Sequence, residues 1–332
     1  MLRQGNGVVG LTSIPLKIAD RKQLNSIASV IASLIFVIIS TIFGIVLDQL
    51  LGTYVVFAVI LSVTSVLQVL FGLSVVSHVI AKILSAEPLS TSKISEDQKE
   101  ALEKILLDAK EVFDYPYDVR LLIIPHYSIN ALSVGIHKHE HLILVSLGAV
   151  EKLSNEEIKG LVFHEMFHIK HGDTDYLTCL SGTFGAPFLV YTLATEKLNR
   201  VRKESKKVNG DEAKKLTSQI IFSVTVLTLT MFLKPIGLLA NLLVNPRKDL
   251  EADLYVASLI GSEYYASIFE KIISDCLPLT ENYYFIRHLF FTHPNCKDVR
   301  RRKMNKILSV YPSVQERFDS VVSSQEKTKQ DK

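Results

Sequence analysis

The sequence predicts an α-helical integral membrane protein that carries an α+β domain outside the bilayer. Three observations carry the prediction. Two uncharged apolar runs, each longer than the roughly 20 residues needed to cross a bilayer, fall within residues 1–76. Short β-type runs follow them. Directly after these, a capped helical segment contains HEMFH, a spacing that suits a metal ion. Bulk composition agrees, since 48% of the residues are apolar and the mean hydropathy is +0.26, both above the soluble average. A net charge of +3 makes no case for a nucleic-acid partner. The three cysteines, Cys179, Cys276 and Cys296, match no metal-binding or disulfide spacing and read as reduced thiols on the cytosolic side. No fixed-period repeat is present, which excludes a solenoid.

Residues 1–25 form an N-terminal segment with Arg3, Lys17, Arg21 and Lys22. Ser26 to Leu47 is a first span, DQLLG a turn, and Thr53 to Val76 a second span, so 26–76 reads as a transmembrane hairpin. The first run is too long for the apolar core of a cleaved signal peptide and lacks its small-residue cut site. Lys82 and Lys93 follow the hairpin while its turn has no Lys or Arg, so the positive-inside rule places both ends in the cytoplasm. The expected location is a multi-pass protein of the cell membrane with its domain outside the bilayer facing the cytoplasm.

Residues 77–176 read as the first part of that domain. Leu102, Ile105, Leu106, Ala109, Val112 and Phe113 mark one face of an amphipathic helix. VRLLIIP and HLILVSLG, with INALSVGI between them, predict a small sheet. Ser154 and Glu157 form a capping box that opens a helix ending near Gly172. Residues 177–244 hold two further apolar runs, Leu177 to Thr195 and Ile220 to Val244, expected to span although the loop 196–217 between them is rich in Lys and Arg. Residues 245–312 form the second part of the domain and 313–332 a charged C-terminal tail, with KMNKIL and EKTKQDK expected as a solvated helix end and a disordered terminus.

His164 and His168 stand four residues apart, about 400° around a helix, so both imidazoles share one face and can converge on one ion. Glu165 points about 100° away from His164, beside the open coordination position, where it can take a proton from an attacking water. Such a match arises by chance in about one or two chains per hundred of this length. Its setting among Ile158, Leu161, Val162, Phe163 and Phe167 argues against surface decoration.

These motifs resemble the HtpX-type membrane zinc endopeptidases and, more distantly, the type 1 CAAX prenyl endopeptidases. INALSVG, HEMFHIKHGD and THP at 292–294 carry the resemblance, which extends from the hairpin to about Leu308. It implies a zincin-like α+β metalloprotease domain with a small sheet packed on the HExxH helix, and one Zn²⁺ per chain. In that family a glutamate in R-x-x-E-x-x-A-D is the third ligand. Setting Arg247, Ala252 and Asp253 on the pattern puts Asp249 there, a departure, because aspartate reaches roughly 1.3 Å less. Helix geometry favours the same register, with Asp249 and Asp253 on one face and Glu251 about 200° away from Asp249. Glu251 remains the alternative ligand. Asp253 would orient a ligand histidine, and Asp173 matches the family's Asp after the motif. Asn130 and Ala131 would belong to an edge strand that pairs with substrate backbone.

His293 is a candidate hydrogen-bond donor to the oxyanion, with a turn role as the alternative. Arg300 falls one residue later than the family's arginine. His171 reads as a helix-end histidine favoured by the dipole, and His137, His139 and His141 as a solvated turn rather than a second metal site. The expected substrates are proteins or peptides, by resemblance misfolded or damaged membrane proteins. A prenyl-protein endopeptidase and a catalytically weak zinc-binding adaptor or holdase are the competing readings. A transporter ranks low because no carboxylate lies in the four apolar runs.

Overall fold

The computed structural model describes residues 14–136, 140–205, 216–224, 227, 243–279, 286–296 and 312–330. Two long helices, α1 (Ile14–Leu51) and α2 (Val56–Ile83), pack against each other as a hairpin. Asp48, a charge at the end of this apolar pair, has a local purpose: its two carboxylate oxygens accept the amides of Phe57 (3.0 Å) and Ala58 (2.9 Å), capping α2. On α1, Val30, Leu34, Ile38 and Ile42 are each more than half exposed, an apolar stripe that suits lipid rather than water. By length and hydropathy α1 can cross a bilayer from Arg21 to Leu51. Val56–Leu70 and Gly72–Ile83 pass the same test only together, bent by 66° at their junction, as a broken span or a re-entrant loop would be.

Beyond the bend, α2 leaves the hairpin and joins the domain. A four-stranded sheet follows, with β1 (Glu87–Pro88), β2 (Val119–Ile124), β3 (Ala131–Gly135) and β4 (His141–Ser146) in the order β1-β2-β4-β3. β2 runs parallel to β4, and β3 returns antiparallel to it with Ala131 opposite Val145. Both faces of the sheet are covered. On one side, Leu122, Ile124, Leu132, Val134 and Leu144 meet Val76, Ile80 and Leu84 from the end of α2. On the other, Leu121, Ile123, Ala131, Ile143 and Val145 join a core shared with α3 (Glu96–Val112) and α5 (Asn155–His171). The expected face of α3 is buried at Leu102, Ile105 and Ala109, while Val112 at its end is exposed. The short α4 (Leu147–Lys152), capped by Ser146, links β4 to α5.

The run Leu177 to Thr195 differs from the expected single span. It belongs to two helices, α6 (Asp173–Phe184) and α7 (Ala186–Ser205), separated at Gly185, and neither is by itself long and apolar enough to cross. α6 is buried against α1, α2 and β3, with Phe184 edge-on to Phe36 at 5.3 Å. Gly72 and Gly182 let α2 and α6 touch backbone to backbone, since a Cβ on Gly182 would stand 3.1 Å from Gly72 Cα. Most of the run Ile220 to Val244 lies outside the described residues.

Three helices complete the described domain: α8 (Arg247–Ile260), α9 (Ser262–Ser274) and α10 (Val314–Gln330). Two expectations are corrected here. The tail is not free, because α10 packs on α8 and α9 and buries Val314, Arg317 and Val321. The cysteines are not all reduced either: Cys276 and Cys296 form a disulfide, and Cys179 is a buried free thiol. A separation of 20 residues matches no local motif, and the fold alone brings that pair together.

Candidate metal centre

α5 begins and ends as its sequence dictates. Ser154 and Glu157 form the reciprocal capping box, and Gly172 ends the helix at φ 72°, a left-handed conformation that glycine adopts without steric cost. Between these stops the helix is buried on nearly all sides, including His164 (1% exposed), Glu165 (2%) and His168 (7%). The two Nε2 atoms of His164 and His168 are 3.1 Å apart, and Asp249 Oδ1 lies 3.5 Å from His168 Nε2. All three ligand atoms fall within 4.8 Å of one another. Tetrahedral bonds of about 2.0–2.1 Å set ligand atoms roughly 3.3–3.4 Å apart, close to the two separations of 3.1 and 3.5 Å.

The hydrogen bonds behind the histidines decide which nitrogen faces that point. Tyr265 donates its hydroxyl proton to Asp253 Oδ1 (2.7 Å), leaving its oxygen as acceptor for the Nδ1–H of His164 (2.9 Å). Asp253 Oδ1 is itself 3.1 Å from that Nδ1. His168 donates Nδ1–H to Asp173 Oδ2 at 3.2 Å. Both Nε2 atoms then carry lone pairs, and two lone pairs facing each other beside a carboxylate call for a cation. A proton answers the same need: burial works against it, yet hydrogen bonds donated to Asp173 and Asp249 raise His168 to about 9. Burial lowers His164 to about 4, outweighing Asp253. Burial also pushes the Glu165 carboxyl up to about 7, into the range of a general base at neutral pH.

Asp173 and Asp253 stay ionised despite burial, because cations hold each well below the usual carboxylate range. Asp173 accepts from Arg21 Nη2 (2.7 Å), Asn25 Nδ2 (2.8 Å) and Lys248 Nζ (2.6 Å). Asp253 is held by Arg317. Glu251 points elsewhere, 61% exposed and paired with Arg21 Nη1 at 2.6 Å. The start of α8 also explains the register: Asn245 Oδ1 accepts the amide of Arg247 (3.1 Å), so helical geometry begins at Arg247 and Asp249 faces α5 from the first turn.

Other expected site residues fall differently. The edge position assigned to substrate is taken at Asn130 and Ala131 by the chain itself. Phe291 N donates to Ala131 O (2.7 Å), Leu132 pairs with Phe290, and the Asn130 amide grips Thr292 O (2.9 Å) and Thr292 N (3.2 Å). Asn130 and Ala131 thus anchor residues 290–292 at the start of β3, the strand at the sheet's edge. His293 is buried and its Nδ1 accepts the amide of Asn295 (3.1 Å), a turn contact. His141 is not solvated: it opens β4 at 1% exposure, with Nε2 2.6 Å from Asp175 Oδ1 and Nδ1 3.1 Å from Tyr115 Oη. His171 is also buried, its Nδ1 2.7 Å from Phe167 O, and burial lowers it to about 4. His137, His139 and Arg300 lie outside the described residues.

Sequence reading missed Tyr265, Arg317, Arg21, Asn25 and Lys248 as members of the site. Arg21 registered only as a topology signal, and the others sit at no fixed spacing from HEMFH. A cavity of about 350 Å³ opens beside His168 and Asp249 and is lined by Leu24, Ala28, Leu177 and Leu243.

A histidine pair on one buried helix, a buried glutamate beside it and a carboxylate from a second helix suit a metal-dependent hydrolase. The chain belongs to peptidase family M48, whose family model matches residues 96–307, more than half of its length. It is similar to the Protease HtpX of Erwinia tasmaniensis, 22% identical over 300 residues that cover 83% of this chain and 95% of the relative. The Protease HtpX of Cronobacter sakazakii is 23% identical over 278 residues, 74% of this chain and 91% of the relative. A Protease HtpX homolog of Helicobacter pylori is 24% identical over 222 residues, 63% of this chain and 68% of the relative.

Proposed function

We infer that this M48 peptidase is an integral-membrane zinc endopeptidase in which His164, His168 and Asp249 hold one Zn²⁺ and Glu165 is the general base. The observation that carries the reading is the meeting of two Nε2 acceptors and a carboxylate oxygen on one point beside a buried glutamate. When bound, zinc polarises the scissile carbonyl and acidifies the attacking water. Glu165 takes that water's proton and delivers it to the leaving amine, and its apolar setting keeps the carboxylate basic enough to do so. Aspartate serves in place of glutamate because α8 packs directly on α5, which brings the shorter side chain within reach of the ion.

Peptide substrates enter beside a cavity of mixed lining whose wall includes Leu24 and Ala28 of α1, so the metal centre sits where an apolar helix meets the domain. This placement supports membrane proteins as substrates and a role in their quality control. The Lys/Arg bias of the hairpin supports a cytoplasmic domain on a multi-pass protein. The Phe291 ring packs on His164 in this reading, and His293 is the candidate donor to the oxyanion, with its turn contact to Asn295 as the alternative role. The test is cleavage of casein and of a membrane-protein substrate in detergent with added Zn²⁺. Wild type is expected to cleave, and Glu165→Gln to bind zinc without cleaving. Equal inertness of both zinc-loaded proteins across substrates would refute the enzyme reading.

A further inference from the structure

Arg317 belongs to α10, in a stretch whose composition reads as solvated tail and which lies beyond residues 96–307 matched by the family model. It is nevertheless among the largest fully buried side chains, at 1% exposure. Its guanidinium makes a two-pronged contact with Asp253, Nε to Oδ2 and Nη2 to Oδ1, each at 2.7 Å. Nη1 donates to the carbonyl of Phe291. The cation also lies over two rings, 4.2 Å from the Phe291 centroid and 4.9 Å from that of Phe269. Everything it grips leads to His164. Asp253 stands behind the Nδ1 of that imidazole, and the Phe291 ring packs edge-on against it at 4.8 Å.

We propose that Arg317 is a positioning residue for the metal ligand His164, acting through Asp253 on one side of the imidazole and Phe291 on the other. A planar fork that meets both oxygens fixes the rotation of a carboxylate, which a single point contact does not. With Asp253 fixed, Tyr265 has one proton acceptor and His164 one orientation, so Nε2 is aimed at the ion before the ion arrives. Outer partners of this kind govern metal affinity as well as geometry. The last helix is on this account part of the metal site, although it supplies no ligand. The inference rests on the zinc reading above.

The experiment measures zinc dissociation constants of the full chain in detergent by chelator competition, together with the visible spectrum of the cobalt-substituted protein. Arg317→Met is expected to weaken zinc roughly 10-fold or more and to shift the cobalt bands. The double variant Asp253→Asn/Arg317→Met is expected to bind no more weakly than Asp253→Asn alone, because the arginine acts through that carboxylate. Val321→Ala, which loosens α10 without touching Asp253, is expected to lower the melting temperature and leave the zinc constant within about twofold. Arg317→Lys covers the case in which the methionine variant does not fold: several-fold weaker zinc at a near-native melting temperature supports the proposal. Wild-type affinity in a folded Arg317 variant, or losses that simply add in the double variant, would overturn it. Failure of the wild type itself to bind zinc would instead remove the metal reading, and this inference with it.

Discussion

Asp249 and Glu251 are two residues apart and only one faces the metal point. The first turn of α8 sends Asp249 toward His168, while Arg21 draws Glu251 outward. Asp249→Ala is therefore expected to weaken zinc by more than the roughly 10–100-fold typical of an outer partner, and Glu251→Ala to keep full stoichiometry, both read by metal analysis after dialysis. A second expectation concerns protons. In the metal-free protein His168 is raised to about 9, so its charged form adds stability that is full below the unfolded value of about 6.5 and is lost as pH rises through about 9. Zinc needs the neutral ring, so binding below that range releases a proton. Apparent zinc affinity should rise about tenfold per pH unit from pH 7 toward 9, measured by competition at stepped pH. The histidine pair and its base were legible because helix geometry fixes their relation. Tyr265 and Arg317 were not, because nothing local ties them to His164.

The capped helix is the element most fully written in sequence. Ser154→Ala is expected to cost about 1 kcal/mol of stability through the lost cap, seen as a lower unfolding midpoint with unchanged cleavage per folded molecule. The α2–α6 contact behaves differently, since it depends on two glycines 110 residues apart meeting face to face. Gly182→Val should separate these helices and destabilise the protein by about 1–3 kcal/mol, measured by thermal unfolding in detergent. The run Leu177 to Thr195 is divided between α6 and α7 at Gly185, three residues beyond this contact. Apolar residues that read as lipid-facing are used in α6 to pack against the hairpin and the sheet, and hydropathy does not distinguish those two destinations.

For the molecule as a whole, the helical hairpin is part of the domain's packing and of the site. Arg21 and Asn25 of α1 grip Asp173 behind His168, and the end of α2 covers one face of the sheet. A chain beginning at Glu87 would expose Leu122, Leu132, Val134 and Leu144, each worth about 1.5–3 kcal/mol when buried. It is expected to aggregate rather than yield a soluble peptidase, as sedimentation would show. The Cys276–Cys296 bond adds a tension with the charge rule, because disulfides are uncommon in a reducing cytosol. A count of free thiols in the unreduced, denatured protein should give one, Cys179, if the bond forms in the cell.

Two apolar runs that fold as paired helices, the amphipathic α3, the capped α5 and the i, i+4 histidine pair were legible in the sequence, because each follows from a local period or spacing. Only the tertiary structure decided which carboxylate turns inward, what stands behind each histidine, and that the last helix is buried. Those outcomes depend on contacts such as Arg21 with Asp173 and Arg317 with Asp253, 152 and 64 residues apart in the chain. Charge and hydropathy record what such residues are, and packing alone records what they meet.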